Sequence, residues 1–111
     1  MEDLEERILA ISKKKGLTHI SSCLNSVNYL DYIYQTKMPG DTVVLSNGHA
    51  GLALYVILEK YERKNAEKLY DKHGTHPNRD VKDGIFCSTG SLGQGLPIAL
   101  GMALSDPKHD V

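Results

Sequence analysis

Apolar residues divide this chain into stretches of helical and strand-like period. Leu4, Ile8 and Ile11 recur three and four residues apart, which places them on one helical face. Glu2, Asp3, Glu5 and Glu6 crowd the first turn and Lys13, Lys14 and Lys15 the last, so both ends complement the helix dipole, and Gly16 supplies a stop. A second helix reads from Leu24 through Val27, Leu30, Ile33 and Tyr34, and Met38-Pro39-Gly40-Asp41 then makes a turn. Thr42-Val43-Val44-Leu45 is β-branched and apolar, the pattern of a strand. Residues 52–58 are apolar almost all round, which predicts a buried helix. The sequence then turns polar, with Asn65 placed to cap a short helix ending near Lys72. Residues 73–80 have the composition of an irregular loop, and Ile85-Phe86-Cys87 reads as a short strand. A last apolar run, Ile98-Ala99-Leu100-Gly101-Met102-Ala103-Leu104, has helical length. The expected fold class is therefore α/β, helix-rich with few strands, in a single unit over residues 1–111.

Composition narrows the function classes. Thirteen basic residues against fourteen acidic ones give a formal charge of −1, so no bulk electrostatic argument favours nucleic acid or a membrane surface. No apolar run is long enough to cross a bilayer, and the acidic first helix lacks the pattern of a secretory signal. Cys23 and Cys87 lack any paired spacing, which predicts two buried free thiols in a reducing, cytoplasmic setting.

Candidate chemistry lies in the connectors. Ser88-Thr89-Gly90-Ser91-Leu92-Gly93-Gln94-Gly95 runs into the last apolar helix. Such a stretch fits a backbone cradle for an anion at a helix start, and equally a tight connection before a buried helix. Its glycine spacing matches neither the dinucleotide fingerprint nor a phosphate-binding P-loop. His19, His49 and His76 each sit in a connector, and imidazole suits proton transfer at a substrate oxygen near neutral pH. A lone loop histidine is equally compatible with a structural role. His73 and His76 are the one close histidine pair, and no cysteine or carboxylate at the usual interval completes a metal ligand set.

Leu45-Ser46-Asn47-Gly48-His49-Ala50, then His76-Pro77, then residues 88–95, with Gly101-Met102-Ala103 after them, resemble the amino-terminal part of transketolase, a thiamine-diphosphate-dependent family. The likeness runs from about Gly16 to the end of the chain, with the motifs in family order. Ser91 stands where many members have proline, which is more similar to the split, two-polypeptide type. Thr18 and Ile20 depart from the glycines that flank the corresponding family histidine at His19.

The resemblance implies an incomplete thiamine-diphosphate-binding fold and transfer of a two-carbon ketol unit between sugar phosphates. It implies that His49 contacts the cofactor's diphosphate and neighbours its reactive carbon. Gly90, Ser91 and Leu92 would line the thiamine site, and His19 and His76 would bond substrate oxygens. The family's Gly-Asp-Gly motif and downstream asparagine, which hold magnesium, and its thiamine-activating glutamate are not among these residues. Magnesium ligands are thus expected elsewhere, together with the remainder of the thiamine domain, a pyrimidine-binding domain or subunit and an oligomeric assembly. The apolar helices over 52–58 and 96–104 would need covering by these other parts. Two alternatives stay open: a non-catalytic regulatory or scaffolding module that keeps the fold, and another thiamine-dependent enzyme of the superfamily.

Overall fold

A computed structural model describes residues 3–18, 20–88 and 95–111. Among the described residues there are five α-helices: α1 (Leu4–Lys15), α2 (Ser21–Thr36), α3 (Gly51–Glu62), α4 (Ala66–His73) and α5 (Gly95–Ser105). Two short 3-10 turns, Gly48–Ala50 and Val81–Asp83, complete the regular structure of the described residues.

The ends of α1 follow its sequence. Gly16 adopts φ +67°, a left-handed conformation, and its N–H closes onto the carbonyls of Ser12 and Lys13. Helix α4 begins at Asn65 as expected, whose side chain accepts the Lys68 N–H at 3.0 Å.

Helix α3 is the centre of the molecule. Every residue from Gly51 to Leu58 is buried, with α1, α2 and α4 packed around it. Ile8 and Ile11 of α1 and Cys23, Val27, Leu30 and Tyr34 of α2 close on Leu54, Val56, Ile57 and Leu58. This corrects the expectation that the apolar face of residues 52–58 needs other parts to cover it: the chain's own helices bury that face on all sides, which removes its apolar surface from water. Charged pairs at the rim tie the layer together, and the largest set joins Arg7 of α1 to Glu59 of α3 through two 3.0 Å bonds.

Helix α5 behaves differently. Leu96, Leu100 and Leu104 are 74%, 60% and 75% exposed, so these apolar side chains are left uncovered by the other described residues.

The strand expectations are not realised among the described residues. Val43 and Leu45 pack against the core as an alternating apolar face would. Their segment has no regular secondary structure, because a strand is defined by a paired neighbour and no described segment runs alongside it. Its first residue, Thr42, instead donates its N–H to the Asp110 carbonyl at 2.9 Å. Ile85 forms an isolated antiparallel bridge with Asp80 in place of a strand. The intervening 3-10 turn and left-handed Gly84, at φ +87°, fold the chain back too tightly to extend the ladder. Among the described residues the architecture is a helical layer, the helix-rich part of the expected fold class.

Candidate functional site

The site is assembled around the start of α3. Asn47 lies just before the 3-10 turn, and its side-chain oxygen accepts the His49 N–H at 3.2 Å. The carbonyl of His49 accepts a contact from the buried Cys23 thiol at 3.6 Å. His49 is thus fixed through its backbone on both sides, and its ring projects from the protein as an exposed side chain.

The second histidine arrives from a distant part of the chain. The ring of His76 stands edge-on to that of His49, with centroids 4.9 Å apart and planes at 89°. Both are exposed, and among the described residues neither imidazole has a hydrogen-bond partner. Two imidazoles side by side with free nitrogens can give and accept protons on a bound polar molecule.

The loop that carries His76 is held close by α3 and α4. The Tyr55 hydroxyl donates to the Gly74 carbonyl at 2.7 Å, and the Tyr70 and Thr75 hydroxyls meet at 3.2 Å. Burial pushes the Tyr55 phenol far above its ordinary range, so it stays protonated and keeps donating. Pro77 is fully buried. Gly51 lies against this loop so closely that a Cβ there would stand 2.5 Å from the Thr75 carbonyl oxygen and 2.9 Å from Pro77 Cδ.

The glycine-rich stretch reaches the same place from its two described ends. Ser88 accepts the Arg79 N–H through its hydroxyl at 2.7 Å, three residues beyond His76. Gly95 is seated on Ser46, where a Cβ would meet the serine Cα and Cβ at 2.7 Å. A cavity of about 620 Å³ opens beside His49, lined also by Thr18, Ser22, Cys23, Tyr70 and Thr75. Its lining carries no ordinarily charged side chain.

Of the residues predicted from sequence, His49 and His76 are brought together. His19, Gly90, Ser91 and Leu92 lie outside the described residues. Cys23 and Cys87 are buried free thiols, as expected, and burial pushes the Cys23 thiol up. His73, paired with His76 in sequence, points elsewhere: its Nε2 lies 3.0 Å from Asp83 Oδ2.

Folding brings to His73 two carboxylates that lie outside the usual ligand interval in sequence. Asp80 and Asp83 fold back to His73, with one ligand atom of each within 4.8 Å of the others, because the Val81–Asp83 turn reverses the chain. Lys72 is bonded to both carboxylates, at 2.8 and 2.9 Å, and compensates their charge. The cluster reads as a clasp between the end of α4 and this turn. Tyr55 and Tyr70 carry no such signal in the sequence, where each resembles an ordinary residue of an apolar or amphipathic helix, and Gly51 is legible there only as a glycine flanking His49.

The family model for "Transketolase, thiamine diphosphate binding domain" matches residues 18–109. Transketolase 2 of Escherichia coli (strain K12) is 38% identical over 73 residues, covering 60% of this chain and 11% of that protein. Transketolase 1 of Escherichia coli (strain K12) is 34% identical and transketolase 1 of Vibrio vulnificus (strain CMCP6) 37% identical, each over 87 residues, covering 64% of this chain and 13% of the relative. The chain therefore spans only 11–13% of the length of these curated relatives. No solved structure matches it.

Proposed function

The chain belongs to the transketolase thiamine diphosphate binding domain family, and from that premise we propose that it supplies part of the active site of a transketolase-like enzyme. The reaction is transfer of a two-carbon ketol unit from a ketose phosphate to an aldose phosphate. The observation that carries this reading is the meeting of His49 and His76, 27 positions apart in sequence, as two exposed imidazoles 4.9 Å apart.

Thiamine diphosphate, when bound, supplies the carbanion on which such a transfer depends. The residues present fit that cofactor. His49 is exposed, its nitrogens are unengaged among the described residues, and it stands at the start of a buried helix whose first N–H groups favour an anion. His49 would bond the diphosphate, and Gly90, Ser91 and Leu92 would line the thiamine ring. His76, with His19, would bond the hydroxyl and carbonyl oxygens of the sugar and pass protons to and from them. The cavity beside His49 offers hydroxyls from Thr18, Ser22 and Thr75 to a polyol.

The residues do not fit magnesium in the same way. The one cluster of three histidine and carboxylate side chains found among the described residues is occupied by Lys72 and lies on the His73 side of the loop. The ion's ligands would belong to other parts of the enzyme. Those parts are the remainder of an α/β thiamine domain, whose added strands would pair with residues 42–45, and a pyrimidine-binding domain or subunit in an oligomer.

Calorimetric titration with thiamine diphosphate and magnesium tests the reading, on the chain alone and mixed with a candidate carboxy-terminal partner polypeptide. Binding in the mixture that is weakened at least tenfold by His49→Ala is expected. Absence of binding in both, with the chain folded, would overturn the cofactor assignment and leave a regulatory or scaffolding role.

A further inference from the structure

Helix α3 does more than carry His49 at its start. Its next two inward-facing turns hold the segment that brings His76 alongside. Gly51 and Tyr55 are four residues apart, so they share one helical face, and that face is turned to residues 74–77. The Tyr55 hydroxyl bonds the Gly74 carbonyl at 2.7 Å, and Tyr55 itself is fully buried. Gly51 lies under Thr75 and Pro77 with no room for a methyl group.

Glycine is not needed at position 51 for its backbone. Its φ of −53° and ψ of −43° are ordinary right-handed helix, which any residue adopts. What position 51 requires is space. A Cβ 2.5 Å from a backbone oxygen cannot be relieved by rotating a side chain, so the 74–77 segment itself would have to move.

We infer that Gly51 and Tyr55 are positioning residues: together they clamp the 74–77 segment onto α3 and so set His76 against His49. The inference rests on the reading of those two histidines as working groups of a transketolase-like site. Neither positioning residue touches substrate. Tyr55 fixes the near end of the segment by a hydrogen bond, and Gly51 fixes its height above the helix by omission of a side chain. The buried Pro77 limits movement at the far end. A displacement of about 1 Å at a reacting group can cost about a hundredfold in rate, so this contact controls the output of the site.

The test uses Tyr55→Phe, which keeps the buried ring and removes only the hydroxyl, and Gly51→Ala. Val56→Ala, on the same helix but away from the loop, serves as the control for general loss of stability. Two readouts are taken: the proton–proton Overhauser effect between the His49 and His76 rings in the chain, and ketol transfer in the assembled enzyme with saturating thiamine diphosphate. Tyr55→Phe is expected to weaken the ring-to-ring effect and lower kcat about tenfold, and Gly51→Ala about a hundredfold. Affinity for thiamine diphosphate should change less than about threefold, since His49 is held from its own side by Asn47 and Cys23. Val56→Ala should lower the melting temperature and leave the ring-to-ring effect intact. An unchanged ring-to-ring effect and unchanged kcat in folded Tyr55→Phe would overturn the clamp while leaving the transketolase reading in place. If the assembled wild type shows no ketol transfer, that reading falls, and the ring-to-ring effect alone decides: its loss in Tyr55→Phe supports the clamp and its retention refutes it.

Discussion

Glu59 joins three helices, and its removal gives a measurable account of how the site is held. One carboxylate oxygen accepts Arg7 Nε at 3.0 Å, and the other accepts Arg7 Nη2 at 3.0 Å and the Ala66 N–H at 3.1 Å. The Ala66 N–H is the first of α4, so Glu59 satisfies a helix-start donor that has no partner within its own helix. Burial opposes the charge on Glu59, but the bonds from Arg7 and Ala66 outweigh it and lower its pKa below the ordinary 4.5. The side chains of Arg7 and Glu59 are 24% and 29% exposed, so solvent screens the pair less than it would a surface ion pair. Two charge-assisted bonds in bidentate geometry and one helix-start bond together make Glu59→Ala cost about 2–3 kcal/mol. Arg7 also meets Glu67 at 3.9 Å, so Arg7→Ala loses more than the one partner. The coupling between Arg7 and Glu59 should be about 1–1.5 kcal/mol in a double-mutant cycle. Urea unfolding followed by far-UV circular dichroism measures each corner. Glu59→Gln retains an acceptor for Ala66 and should recover part of the loss. A coupling below about 0.3 kcal/mol with both single variants folded would refute the claim that this pair is an energetic joint.

Two further outcomes are expected. Bonds from His73 and then Lys72 lower the Asp83 pKa from 3.8 to about 2. The folded-state pKa is depressed, so the stabilisation is present above pH 3.8 and is lost as the pH falls through about 2. Discounted for exposure it amounts to about 1 kcal/mol, and acid titration of stability should show this component in the wild type and not in Asp83→Asn. Gly16→Ala should cost about 1 kcal/mol by equilibrium unfolding, because nothing crowds the position and the whole penalty is the left-handed φ of +67°. A neutral or stabilising result would show that the end of α1 readjusts.

What the sequence determined by itself is mostly local. The acidic start, basic end and glycine stop of α1 specify a helix through interactions within a few residues: Glu5 and Glu6 lie in its first turn and Lys13, Lys14 and Lys15 in its last, while Asp3 precedes it as the cap residue and Glu2 lies outside the described residues. Asn65 before a helical stretch is likewise a short-range signal, realised as a cap. The almost all-round apolar run over residues 52–58 announced a buried helix, because apart from the Tyr55 hydroxyl nothing in it is polar. The order of the histidine and glycine motifs points to the family without any geometry, since that order is a property of the chain and not of its packing.

Other features depend on residues far apart in sequence and arise only on folding. The β-branched run at residues 42–45 has strand character, but a strand exists only through a neighbour, and none is paired with it among the described residues. Helices over 52–58 and 96–104 look equally apolar, yet one is enclosed and the other exposed. Periodicity reports what a surface is made of and cannot say what covers it. His73 and His76 are adjacent in the sequence pattern, and the chain reversal at residues 80–85 separates their fates, drawing His73 to Asp83 and leaving His76 beside His49. Gly51 is marked in the sequence only as a glycine flanking His49. Its role depends on a backbone oxygen 24 positions along the chain, and only folding brings that atom within reach of its missing side chain.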